Sequence, residues 1–269
     1  MKLSNKVRQN YENQHRIYER KVRPYFYNVI ISQNDKVINW ISENGQDNIP
    51  YDLLIDANDF SKAIIASYLE IGLIVARREY YFTRRIELDT KIDIQLFISR
   101  WKDLIIEFST NYAYRIQNEL SETSRNDVIQ ALIYAQENDI TGDRLVTFLR
   151  KRLNKQISRF RANLIARTEA TTASNYAKEI GARTWINETG QQGYKGWISR
   201  MDERVRHNHL DLNDTYIKID DLWDVGGQLA NAPGDTILNA KERISCRCTQ
   251  VFLAESTYLR LQKLGQIRT

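Results

Sequence analysis

At 269 residues, with 42% hydrophobic and 27% charged side chains, the chain is long enough to bury a sizeable core. No run reaches about 18 apolar residues, so no membrane span is expected, and the basic opening segment lacks the apolar stretch of a secretory signal. The only cysteines, Cys246 and Cys248, exclude a disulfide framework and point to a reducing cytosolic compartment; a net charge of +5 is a mild pointer to nucleic acid.

Pro24 and the stretch 44–52 (NGQDNIPYD) are expected to break up the first fifty residues. Residues 59–86 read as a thick apolar helix. Ile92, Leu96, Leu104, Phe108, Tyr112, Ile116 and Leu120 recur mostly at multiples of four, one stripe of a long helix. Leu145, Phe148, Leu149, Leu153, Ile157, Phe160 and Leu164 make a second stripe, with Thr141 placed to cap it. Glycines are sparse up to this point (Gly45, Gly72, Gly142) and then crowd at 181, 190, 193, 196, 226, 227 and 234. Because glycine punctuates turns and weakens helix interiors, the helical part should end near 181–192. Beyond it, KGWIS (195–199), TYIKI (215–219) and CTQVFLA (248–254) read as strands, and STYLRLQKLGQ as a closing helix. The fold class is therefore α+β, with an extended, mainly helical region at 1–180 and a small α+β domain at 181–269.

Two segments are rich in positive charge. One holds Lys2, Lys6, Arg8, Arg16, Arg20, Lys21 and Arg23; the other holds Arg144, Arg150, Lys151, Arg152, Lys155, Arg159 and Arg161. Lys151, Arg152, Lys155 and Arg159 are the candidates for sequence-independent contact with DNA phosphates, and a solvated face or an acidic protein neighbour is the plainer alternative.

The polar chemistry concentrates in GWISRMDERVRHNHLDLND (196–214) and NAPGDTILNAKERISCRC (231–248). Read in order, the chain carries Ala166-Arg167-Thr168-Glu169, then Trp197. Asp202-x-Arg204-x-Arg206-x-x-His209, Pro233-Gly234-Asp235 and Cys246-Arg247-Cys248 follow. This ordered set, over roughly residues 160–254, resembles the phage Mu F-like minor head (head morphogenesis) family of tailed bacteriophages. Where that family commonly has a short Asp-Gly turn, this chain has Leu212-Asn213-Asp214, of which Asn213 and Asp214 also tolerate left-handed backbone angles. The resemblance implies a non-enzymatic minor capsid protein in the virion, inside the head and near packaged double-stranded DNA, with assembly in the host cytoplasm. It implies the portal protein as partner, with scaffold or major capsid protein as further candidates.

Two readings of the small domain stay open. His209, Cys246 and Cys248 can serve as three zinc ligands, with His207, Asp202 or Asp235 as a fourth. Otherwise the cysteines are small buried hydrophobes on the inner face of a strand, Arg247 points outward, and no cofactor is bound. Asp202, Arg204 and Arg206, with Arg forking to carboxylates or carbonyls, suit a network that pins a loop-rich domain; phosphate contact is the functional alternative. Trp185, Trp197 and Trp223 read as core. Phosphate-binding Gly loops, a nucleophile elbow and the His-x-Glu with Pro-Cys-x-x-Cys of zinc deaminases are all missing from the sequence. The rival functions are a metal-dependent enzyme or toxin-like domain centred on His209, Cys246 and Cys248, and a free-standing basic DNA-binding protein.

Overall fold

The computed structural model describes residues 5–84 and 95–267. Helices α1 (Asn5–Asn44), α2 (Tyr51–Leu54), α3 (Ala57–Arg84) and α4 (Gln95–Glu137) come first. A continuous helical run follows, made of α5 (Gly142–Leu149), a π-helical stretch (Arg150–Ile157) and α6 (Ser158–Thr189). Next come β1 (Gly193–Ile198), α7 (His207–Asp211), β2 (Tyr216–Lys218), β3 (Trp223–Asp224), β4 (Leu229–Ala230) and α8 (Ala240–Arg243). β5 (Thr249–Ala254) and α9 (Glu255–Lys263) end the described chain. The mainly helical first part and small α+β second part are as expected. The strands at 195–199, 215–219 and 248–254 and the closing helix each have their counterpart.

Two compact units are present. One comprises Met1–Lys21, Tyr68–Ile106 and Arg167–Thr269, the other Val22–Ser67 and Glu107–Ala166. They do not coincide with a division at 180/181, because α1, α3, α4 and α6 each supply residues to both.

Several local expectations need correcting. Pro24 does not break α1, which continues through it. Proline costs a helix one backbone hydrogen bond, but Tyr18, Val22, Phe26 and Ile30, spaced at fours, are all buried, and this apolar stripe on both sides of Pro24 holds the helix. Residues 45–50 do interrupt the chain, between α1 and α2. Thr141 takes the extended backbone of a cap but its side chain makes no capping bond.

The stripe on α4 is centred on Trp101, Ile105 and Tyr112, all buried, whereas Leu96 is 73% exposed; Ile92 lies outside the described residues. In the second stripe Leu145, Leu149 and Leu153 are buried but Phe160 is 69% exposed. The π-helical stretch explains the difference. Bonding i to i+5 adds residues to each turn, so a stripe counted at fours drifts off the core after Leu153. The buried face resumes at Ser158, Arg161, Ala162 and Ile165.

α6 ends at Thr189, within the expected 181–192 boundary, and runs through Gly181. A Cβ at that position would sit 2.2 Å from the Ala76 carbonyl oxygen, so the glycine lets the α6 and α3 backbones approach closely.

In the unit that carries the C-terminal part, β1 is the central strand of a three-stranded antiparallel sheet ordered β2-β1-β5. Its register sets Tyr194 opposite Lys218 and Gly196 opposite Val251. β3 and β4 form a separate two-stranded ribbon. Trp197, Trp223, Val225, Ala230, Leu238, Cys246 and Cys248 form one buried cluster. Trp185 is buried as well. No described helix is long and apolar enough to cross a membrane.

Candidate metal centre

The polar residues of α6 prepare the site. Thr168, Thr171, Thr172 and Asn175 stand at i, i+3, i+4 and i+7, one face of a helix, and all four are buried. Their side chains bind backbone of two loops and of the start of β5. Thr168 Oγ1 accepts from the Ser245 N–H at 3.0 Å, and Thr171 Oγ1 donates to the Cys246 carbonyl at 2.6 Å. Thr172 Oγ1 donates to the Gly234 carbonyl at 2.7 Å. Asn175 Nδ2 donates to the carbonyls of Pro233 (2.8 Å) and Cys248 (3.1 Å), while its Oδ1 accepts from the Gln250 N–H at 3.1 Å. A single helix face thus holds both the Pro233-Gly234-Asp235 turn and the Cys-Arg-Cys segment. Gly234, at φ +75°, takes the left-handed conformation that its turn requires, with Thr171 Cγ2 2.9 Å from where a Cβ would be.

His209 lies on α7 and meets the two cysteines. Its Nδ1 is 3.4 Å from Cys248 Sγ and 3.6 Å from Cys246 Sγ. One ligand atom from each of the three residues lies within 4.8 Å of the other two. Its Nε2 faces Glu242 Oε2 at 3.1 Å. Glu242 Oε1 accepts from Asn208 Nδ2 at 3.3 Å, and the Glu242 N–H is capped by Asn239 Oδ1 at 3.0 Å. The Trp197 ring meets the imidazole edge-on, 5.4 Å between centroids. Ser199 Oγ accepts from Trp197 Nε1 at 3.2 Å, donates to the His209 carbonyl, and stands 3.8 Å from Cys248 Sγ. His209, Cys246, Cys248 and Glu242 are each 3% exposed or less, so the cluster is sealed from solvent.

The thiols divide in acidity. The hydrogen bond from Cys246 and the contact with His209 hold Cys248 well below the usual thiol value against the opposing effect of burial. The same interaction with Cys248, reinforced by burial, pushes Cys246 well above it. Two thiolates side by side in a dry pocket are costly unless a cation joins them.

None of the three fourth-ligand candidates joins the cluster. His207 is an exposed residue whose Nε2 lies 3.7 Å from Asp211. Asp235 is used in its own turn, accepting from the Asn231 and Ile237 N–H groups at 2.7 and 3.2 Å. Asp202 takes a two-pronged bond from Arg247, at 2.6 and 2.8 Å. That bond holds its carboxyl below the usual range. Arg247 therefore folds back onto Asp202 instead of pointing outward, because Cys246–Cys248 precede β5 as irregular backbone and do not alternate as a strand. The network around Asp202 is built with Arg247 and with Arg200, whose Nε is 3.1 Å away. Arg204 contributes its backbone N–H to Asp202 at 3.1 Å, and Arg206 donates to the Ile244 carbonyl at 2.6 Å. Asp214, at φ +60°, supplies the left-handed turn residue after His209.

Sequence reasoning missed Glu242 and the Thr168–Asn175 face. Both left signals: Asn239-x-x-Glu242 has capping-box spacing, and a helix carrying threonine at 168, 171 and 172 holds poor helix formers that only tertiary bonds reward.

The basic row lies elsewhere, in the other unit. Lys151, Arg152, Lys155 and Arg159 are all exposed, on the π-helical stretch and the first turn of α6. Arg161 does not belong with them. It is buried, 3.0 Å from Asp127, and bonds Ser124 Oγ and the Leu120 carbonyl.

Fold and site together define a mainly helical protein with a loop-rich α+β region closed around a buried His–Cys–Cys cluster. Residues 126–251 match the family model described as phage Mu protein F like protein, and this region of the chain is similar to that family. It is also 24% identical over 152 residues to the NAD(+)--arginine ADP-ribosyltransferase EFV of Enterococcus faecalis (strain ATCC 700802 / V583). That alignment covers 56% of this chain but only 29% of the relative's length. No solved structure matches the chain.

Proposed function

We propose that the chain is a minor capsid, head morphogenesis protein that joins the assembling procapsid with the portal and remains inside the phage head beside the packaged DNA. The observation that carries this reading is the Mu F-like family match over residues 126–251. The long helices supply contact surface for portal, scaffold or major capsid protein. The exposed row Lys151, Arg152, Lys155 and Arg159 supplies positive charge that phosphates of any sequence satisfy.

The protein acts without catalysis. An enzyme must admit a substrate to its reactive groups, and His209, Cys246 and Cys248 are buried away from solvent. The ADP-ribosyltransferase named above is more than three times as long as its aligned segment, so its named activity needs no seat in this chain. Co-expression with the portal gene of the same phage tests the reading. The chain is expected to co-purify with the portal oligomer and to do so through its helical surface. Free elution of a folded chain away from assembled portal would overturn it.

A further inference from the structure

We propose that His209 Nδ1, Cys246 Sγ and Cys248 Sγ hold one structural zinc ion per chain, with Glu242 as the positioning residue that orients the imidazole. Zinc takes imidazole nitrogen at about 2.0–2.1 Å and thiolate sulfur at about 2.3 Å in tetrahedral geometry, which sets nitrogen and sulfur about 3.6 Å apart. The two separations here are 3.4 and 3.6 Å.

Glu242 Oε2 faces Nε2 at 3.1 Å, a contact that favours the neutral tautomer with its proton on Nε2 and its in-plane lone pair on Nδ1. Two sulfurs converge on that lone pair. A cation at the convergence point uses the lone pair and both sulfurs at once. A carboxylate on the far nitrogen of a metal-bound histidine is also the outer contact that such sites regularly carry.

The surroundings serve the same end. The carbonyls of Cys246 and Cys248 are pinned by Thr171 and Asn175, so the sulfurs are placed by helix α6 and not by the ion alone. Between β1 and β5 the longest regular element is the five-residue α7, too little ladder to fix some fifty residues. Cross-linking α7 to the segment before β5 compensates, as metals do in small loop-rich folds. A dication with two thiolates is neutral, which suits a dry pocket. Among the described residues the cluster contains three ligands. The Ser199 hydroxyl is already committed to Trp197 and the His209 carbonyl, so the fourth position falls to a water. Soft thiolates with imidazole select zinc over magnesium, calcium or manganese.

The inference is independent of whether the chain enters a phage head, and its test needs only the purified full chain. Elemental analysis of protein prepared under reducing conditions without chelator should return one zinc per chain. After denaturing chelation and refolding with cobalt(II), the near-ultraviolet thiolate-to-cobalt band and the intense visible bands of a tetrahedral site should develop. The double variant C246S/C248S should lose both the zinc and the cobalt bands. Glu242→Gln should keep the bands but weaken zinc by about 10–100-fold in competition with a chromogenic chelator, a readout that loss of packing alone does not move. If the double variant fails to fold, the wild-type metal content and the Glu242→Gln competition decide. Wild-type protein with no zinc and no cobalt–thiolate band, a different metal at that stoichiometry, or zinc retained by a folded double variant overturns the proposal.

Discussion

Glu242 Oε2 and His209 Nε2 stand 3.1 Å apart with both side chains buried, and this one contact decides which face of the imidazole is offered to Cys246 and Cys248. Glu242→Ala strands a buried N–H and frees the ring to change tautomer. The cost expected in chemical denaturation is on the order of 1–3 kcal/mol, since an unpaired buried donor loses its full desolvation penalty. Glu242→Gln still offers a carbonyl oxygen to the ring and should cost less. Equal stability of the Ala variant and the wild type contradicts this role.

Asn175 has every polar atom in use: its amide nitrogen on Pro233 and Cys248, its oxygen on the Gln250 N–H. Asn175→Ala orphans buried groups in two loops and should destabilise by about 3 kcal/mol or more. Asn175→Asp keeps the shape but turns a donor toward two carbonyls into an acceptor, so it should be no better tolerated. Thermal melts of the two variants check this, and a stable Asp variant is the result that sinks it.

Much of this region was legible as sequence. Tyr216, Trp197 and the 249–254 run announce strands by alternation and β-branched content. Cys246, Cys248 and His209 announce soft ligands by type alone. What periodicity could not supply was phase across a π-helical stretch, which moved Phe160 to the surface. Nor could it show what a glycine is for: Gly181 looks like punctuation in one dimension and is a close helix contact in three. Pro24 was misleading for a related reason, since its local cost is outweighed by burial of Val22 and Phe26 on either side. Glu242 and Asn175 act on residues distant in the chain, 33 positions away in one case and about 60 to 75 in the other. No local pattern names such a partner.

The exposed row makes a separate expectation. A variant carrying K151E, R152E, K155E and R159E should fold normally and lose salt-sensitive, sequence-independent DNA binding in a gel-shift series. Arg161→Glu is the contrast, because it places a second carboxylate beside half-buried Asp127 and should unfold the unit without informing on DNA. Unchanged DNA binding by the quadruple variant returns those charges to a solvated face.

Glu79 predicts a pH dependence. It is buried, and burial, only partly offset by Lys178 and Arg78, raises its carboxyl from 4.5 to about 7. A carboxyl whose folded value is raised binds its proton more tightly in the folded state. Its contribution is therefore complete below about pH 4.5 and is lost as pH rises towards 7. Glu79→Gln should match the wild type near pH 4.5 and gain stability relative to it as pH rises towards 7, offset in part by the loss of the carboxylate that supports buried Lys178. Urea titrations at the two pH values settle the sign, and a variant that is weaker at pH 7 than the wild type refutes it.

The most direct measurement of the central claim is quantitative mass spectrometry of purified procapsids and DNA-filled heads from the phage that encodes this chain. The account predicts the protein in both, at a fixed low ratio to the major capsid protein and in protease-protected form. Its absence from both particles, with the protein recovered free in the lysate, would contradict the account.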